Sequence, residues 1–152
     1  MPVFEATMQL RCTAEALFDF LVRPANLPKL SPPDWDLRLL EAPEICQLGS
    51  RLVIQAKRSG IPQRIVSEII GLEPHSVLID EMREGPLRKL VHSRTLLANG
   101  NSVSLTDRIE FEPPRGLLGL ILTAQRIEKD LAALHEFRLK RIQELLEPGQ
   151  PG

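Results

Sequence analysis

The chain has 152 residues, 43% of them hydrophobic and 26% charged, with a formal net charge of −1. This is the size and polarity of one globular domain with a core of its own. It excludes the concentrated basic surface of a sequence-independent nucleic-acid binder, and no apolar run approaches the ~20 residues of a membrane-spanning helix.

The opening residues, Met-Pro-Val-Phe-Glu-Ala, have neither the basic nor the apolar segment of a secretory signal, so the cytoplasm is the expected location. Residues 3–12 alternate: Phe4, Ala6, Met8 and Leu10 on one face, Glu5, Thr7, Gln9 and Arg11 on the other. The period predicts a half-buried strand. Thr13 is placed to cap a helix over 14–21 with a stripe of Leu17, Phe18 and Leu21, and Pro24 permits a second short helix over 25–29. Residues 30–35 form a stiff, proline-paired connector that carries Trp35. Strands are expected over 36–41, 51–58, 63–70 and 77–82, separated by a loop over 42–50 and by turns at Ser59-Gly60-Ile61-Pro62 and Glu73-Pro74-His75. The two cysteines, Cys12 and Cys46, lack metal or redox spacing and are expected as free thiols.

After Glu84-Gly85-Pro86 come two further strands, 88–97 and 102–112, with Asn99-Gly100 between them. Asn-Gly is the strongest short hairpin signal because both residues tolerate positive φ. A turn there pairs Ala98 with Asn101, and hence Lys89 with Glu110, Leu90 with Ile109, His92 with Asp107 and Leu96 with Val103. Ser93, Thr95, Ser104 and Thr106 then form a wet face, while His92, Arg94 and Asp107 point into the apolar one. Ionisable groups on an inward face are costly unless paired or used. Pro113-Pro114-Arg115-Gly116 ends the sheet, and one long helix is predicted over about 118–146. Residues 148–152 read as a frayed tail, leaving a single domain over 1–147.

Short loops between successive strands imply an antiparallel meander. Only the C-terminal helix is large enough to cover its buried face. The expected class is therefore α+β: a curved sheet of six to seven strands around a long C-terminal helix, with two short helices after the first strand. Three segments carry a family resemblance: the run from Phe18-Asp-Phe-Leu to Pro-Ala-Asn-Leu-Pro-Lys-Leu-Ser-Pro-Pro, Gly85-Pro-Leu-Arg-Lys-Leu-Val-His, and Leu105-Thr-Asp-Arg-Ile-Glu-Phe-Glu-Pro-Pro-Arg-Gly. With this layout the chain resembles the START-like superfamily, which includes plant pathogenesis-related allergens, polyketide cyclases and lipid-transfer domains. The resemblance implies the helix-grip fold and an internal cavity for a hydrophobic small molecule.

His92, Arg94 and Asp107 are the sharpest candidates for chemistry. The aspartate would fix the histidine's tautomer and the arginine would bind a carboxylate, phenolate or enolate. A structural polar cluster is the alternative. Leu90, Leu96, Leu105 and Ile109 would line the cavity, Trp35 would lid it, and Arg138 would reach into it from an otherwise apolar helix position. Asp80 and Glu81 compete for the inward face of their strand, and the period does not choose between them. His75 and His135 read as solvent-facing. The 117–122 run reads as core packing at the start of the helix, with a partner or membrane contact as its alternative. With three histidines in the chain, and no His-x-x-x-His or Cys-x-x-Cys, no metal and no cofactor is expected. The functional expectation is binding or transport of a small hydrophobic molecule such as a lipid, isoprenoid or polyketide. The alternatives are a cyclase or dehydratase using His92 and Asp107, and a protein-interaction module. The expected partner is the small molecule alone, without nucleic acid or membrane span, and the sequence leaves the oligomeric state open.

Overall fold

A computed structural model describes residues 1–149; the last three residues of the expected tail lie outside them. The strands are β1 (Val3–Leu10), β2 (Arg38–Glu41), β3 (Arg51–Arg58), β4 (Ile61–Glu73), β5 (Val77–Glu84), β6 (Lys89–Asn99) and β7 (Ser102–Glu112). The helices are α1 (Ala14–Leu21), α2 (Gly116–Ile121) and α3 (Ala124–Leu146), with 3₁₀ segments at Pro24–Leu30 and Pro33–Trp35. All seven strands form one antiparallel sheet in the order β1-β7-β6-β5-β4-β3-β2. Irregular pairing of β4 with β5 at Val66/Ser67 and Ile69/Gly71 marks bulges, the usual device for bending a sheet. Gly71 lies at one of them, and a Cβ at this position would come 2.9 Å from the Ile79 Cδ1, so the Ile79 side chain would have to shift. The architecture is the helix-grip fold, and no helix among the described residues is long and apolar enough to cross a membrane.

Period-two patterning holds across the sheet: Met8 and Leu10 of β1 and Val103, Leu105, Asp107, Ile109 and Phe111 of β7 are all buried. Thr13 caps α1, its Oγ1 accepting from the Ala16 N–H at 3.1 Å. The core divides in two. One cluster gathers Met8, Leu10, Leu17, Phe18, Leu30, Leu96, Val103, Leu105 and Ile142 under α1 and the Pro24–Leu30 segment. The other gathers Ile109, Phe111, Leu122 and Ile127 with Phe4, Leu90 and Leu131 at the opposite end of the sheet. Cys12 and Cys46 are both free and buried.

Four expectations are corrected. The β6–β7 turn is centred on Gly100-Asn101, not Asn99-Gly100, since Asn99 pairs with Ser102. Gly100 has φ of +61° and neither asparagine beside it has positive φ, so glycine takes the first corner of a type II′ turn instead of the second corner of a type I′. Every β6 residue therefore meets a β7 partner two places later than predicted: Lys89 faces Glu112, Leu90 Phe111, His92 Ile109, Arg94 Asp107 and Leu96 Leu105. A shift of two preserves the face, so the inward set is unchanged.

The long helix is broken. Leu122 leaves the helical region (φ −94°, ψ 74°) and Thr123 starts α3 as its cap, Oγ1 accepting from the Arg126 N–H at 3.3 Å. The run before the break is not core: Leu117, Leu118, Leu120 and Ile121 are 82%, 50%, 76% and 66% exposed, and Leu122 alone is buried. Gly119 explains this, because a Cβ there would collide with the Pro114 carbonyl oxygen. The glycine face of α2 rests on the proline turn and the leucines must face away. Finally, His135 is not solvent-facing. Its side chain is 11% exposed and packs edge-on to Phe4, ring centroids 6.3 Å apart. It lies on the inward stripe of Ile127, Leu131, Arg138 and Ile142, a spacing already present in the sequence. His75, with φ of +64°, is exposed in its turn as expected, its ring edge-on to Phe18.

Candidate functional site

Between the two apolar clusters runs a belt of charge. It is set by three inward positions, His92 and Arg94 on β6 and Asp107 on β7, and completed by Asp80 on β5 and by His135 and Arg138 on α3. His92 and Asp107 are 6% and 8% exposed. Asp107 stands directly across from Arg94, and His92 reaches it on the diagonal: the His92 Nε2 lies 2.7 Å from the Asp107 Oδ1. A carboxylate only accepts, so Nε2 must carry the proton and Nδ1 is the bare nitrogen of a neutral ring. The second oxygen, Oδ2, lies 3.5 Å from the His135 Nδ1. Arg94 gives its Nη1 to the Asp80 Oδ1 at 2.8 Å, which resolves the open choice on β5: Asp80 turns inward, and Glu81 turns outward to Arg83 at 3.1 Å.

Burial, and then the positive charge of Arg94, hold His92 below the ordinary histidine value and outweigh the pull of Asp107 and Asp80. Burial alone would push the Asp107 carboxyl up, but the N–H groups of His135 and His92 and the charge of Arg94 hold it well below the usual carboxylate range. Burial also pushes the Cys46 thiol up to about 11, which leaves it inert. For Arg138, burial and the neighbouring Arg94 oppose the charged form, and Asp107 and Asp80 favour it.

A cavity of about 40 Å³ opens against this belt. Its apolar wall includes Met8, Leu21, Leu27, Leu30, Leu105 and Ile142, and its polar lining is Arg23, Asn26, Arg94, Asp107 and Arg138. The Pro24–Leu30 segment covers it. Two side chains of α3 clasp the end of that cover: the Arg138 Nε donates to the Leu30 carbonyl at 3.4 Å and the Arg141 Nε to the Lys29 carbonyl at 2.9 Å. A second gap, about 10 Å³, lies between α3 and the sheet beside Phe4, His92, Ile109, His135 and Arg138.

Of the residues singled out from sequence, Arg94, Leu105, Asp107 and Arg138 meet at the cavity, and His92 and Ile109 at the smaller gap. Leu90 and Leu96 belong to the two apolar clusters behind them. Trp35 is half-buried and lines neither space. Sequence reasoning missed His135 and the cover's Arg23 and Asn26. The helical spacing would have found the first; nothing in the sequence pairs the others with β6 and β7. Among the described residues no group of three histidine, cysteine or acidic side chains is placed to hold a metal ion.

No family model matches the chain, and no curated protein matches it. Solved structures do. A Chromobacterium violaceum protein superposes with a TM-score of 0.77 at 16% identity, covering 96% of this chain and 97% of that one. A START superfamily protein from Mycobacterium smegmatis gives 0.72 at 13% identity, covering 95% and 96%. An aromatase/cyclase from Streptomyces sp. R1128 gives 0.71 at 16% identity, covering 99% of each chain. At these identities the likeness is one of fold.

Proposed function

We propose that this chain, with its START-like helix-grip fold, binds a small, largely apolar molecule between the sheet and α3. The polar belt would orient the head group. The observation that carries the reading is a cavity with aliphatic walls and a charged floor, the arrangement that lets apolar area supply affinity and a few polar groups supply orientation. At about 40 Å³ the cavity has room for a few waters, against the ~300–1,000 Å³ of ligand pockets. Entry therefore requires the Pro24–Leu30 cover to lift, and a short 3₁₀ segment held at its end by two arginine contacts belongs to the low-stability class of element that opens locally. Native mass spectrometry of protein purified from its own host, followed by titration with the neutral probe N-phenyl-1-naphthylamine, tests the reading. Saturable uptake that is blocked by Leu105→Trp is the expected result. A folded protein that takes up neither a native molecule nor the probe overturns it.

A second reading, proton transfer in a cyclase or dehydratase reaction, draws on the neutral buried His92 held by Asp107. The aromatase/cyclase among the fold neighbours is a case of catalysis on this architecture. Only about 10 Å³ is open beside His92, so binding leads. His92→Gln would abolish turnover of a cyclisable polyketide under this reading and leave probe uptake intact under the first. The exposed leucines of α2 favour a third, a protein-interaction module, which Leu117→Glu with Leu120→Glu would disable without touching probe uptake.

A further inference from the structure

The belt contains two guanidinium groups and two carboxylates, yet they do not pair off. Asp80 is committed to Arg94 at 2.8 Å, and Asp107 to the imidazoles of His92 and His135 at 2.7 and 3.5 Å. Arg138 has no ion-pair partner among the described residues. Its one hydrogen bond, Nε to the Leu30 carbonyl, is long at 3.4 Å. Its two Nη groups have no acceptor, yet no buried side-chain nitrogen is left unsatisfied. They therefore open onto the space that Arg138 lines. An arginine stays ionised in a protein, and Asp107 and Asp80 favour its charge without bonding to it. The fold therefore keeps guanidinium donors without an acceptor at the floor of a largely aliphatic chamber, an arrangement that is costly unless an acceptor meets them.

Resting on the binding reading above, we propose that the ligand is an aliphatic monocarboxylate and that the guanidinium of Arg138 receives its head group. A carboxylate fits the planar fork through two parallel N–H donors. One carboxylate occupies the free donors; a dianion would bring a second negative charge beside Asp107 and Asp80. The walls favour an aliphatic tail, since Met8, Leu21, Leu27, Leu30, Leu105 and Ile142 face the cavity and Phe20 is its only aromatic. The same contact would act on the cover. A carboxylate is a stronger acceptor than a neutral carbonyl, so it would draw Arg138 from Leu30 and release one of the two clasps.

Calorimetric titration with octanoate, 1-octanol and methyl octanoate at pH 7.5 tests this. Octanoate should bind about tenfold or more tightly than either neutral analogue, the ratio expected of a charge-assisted hydrogen bond in a desolvated site. Arg138→Met should erase that ratio, octanoate falling to the affinity of octanol in the same variant. If Arg138→Met does not fold, Arg138→Lys keeps the charge and loses the fork, and should reduce the octanoate-to-octanol ratio several-fold. Equal affinity for all three molecules would refute carboxylate recognition and leave the binding reading standing. No binding of any of them would overturn both. An octanoate preference that survives both substitutions would place recognition away from Arg138 and refute the proposal.

Discussion

Asp107 holds the belt together, because its two oxygens face two histidines from two different elements. Asp107→Ala strands both ring N–H groups in the interior, and a loss of about 1–3 kcal/mol in urea unfolding is expected for buried donors left without an acceptor. The titrations give a sign as well. His92 has its folded pKa lowered, so below about pH 6.5 the unfolded chain takes up a proton that the folded imidazole refuses. Stability is fully present above that value and falls as the pH drops towards the lowered folded pKa. Asp107 acts in the same direction at lower pH: its carboxyl is depressed, so its contribution is present above about pH 4 and is lost as acid takes the pH below that. Urea midpoints between about pH 7.5 and 5.5 should therefore decline, and His92→Gln, which keeps a donor to Asp107 but does not titrate, should flatten the decline. An unchanged slope in that variant would exclude His92 as its source. That these residues point inward was legible from period two alone. That Asp107 would hold His92 was legible too; which residue each would stand directly opposite was not, because that depends on a turn conformation that Asn-Gly leaves open. Asp80 was not legible because β5 alternates too weakly to show its face; it stands opposite His92, and its bond to Arg94 on the diagonal draws it into the belt.

The C-terminal region shows what a helical pattern conceals. Apolar residues recur at spacings of three and four straight through 118–146, so the pattern carries no sign of a break. The stop comes from backbone chemistry: Thr123 prefers to cap, and Gly119 permits an approach to Pro114 that any Cβ would prevent. Thr123→Ala should cost about 1 kcal/mol in unfolding free energy, the usual loss for a missing cap. Leu117→Glu with Leu120→Glu should change stability by less than about 0.5 kcal/mol, as for surface positions, and should reduce binding of a hydrophobic dye to the folded protein. A loss of several kcal/mol there would mean that α2 packs against the body after all. The strands were easier to read, since a sheet with one wet face prints its alternation directly into the sequence.

At the scale of the molecule, the apolar core is split by the belt, and the belt is reached through the cover. Apolar residues gather into a cluster at either end, and the middle rows of the sheet carry charged side chains that a continuous core would exclude. The cover is held to α3 by two long side chains. Arg141→Met removes its shorter clasp. Amide exchange over 24–30 should then speed up several-fold with α1 and the sheet unchanged, and association with an apolar probe should quicken. Unaltered exchange in that segment would show that proline stiffness, not the clasp, sets the opening rate. The cover's contacts were not legible beforehand, because Arg23, Asn26 and the carbonyls of Lys29 and Leu30 meet β6, β7 and α3 only in the folded chain.

The corner that Gly100 occupies acts at a distance as a frame selector. Both two-residue turns available to Asn99-Gly100-Asn101 keep the same side chains inside, and they differ only in who stands opposite whom. With glycine at the first corner Arg94 looks across at Asp107 and His92 at Ile109; with glycine at the second it would be Leu105 and Asp107. An exposed tip at the far end of the hairpin thus addresses the interior, and a change there could redistribute the charges of a buried site without replacing a single residue within it.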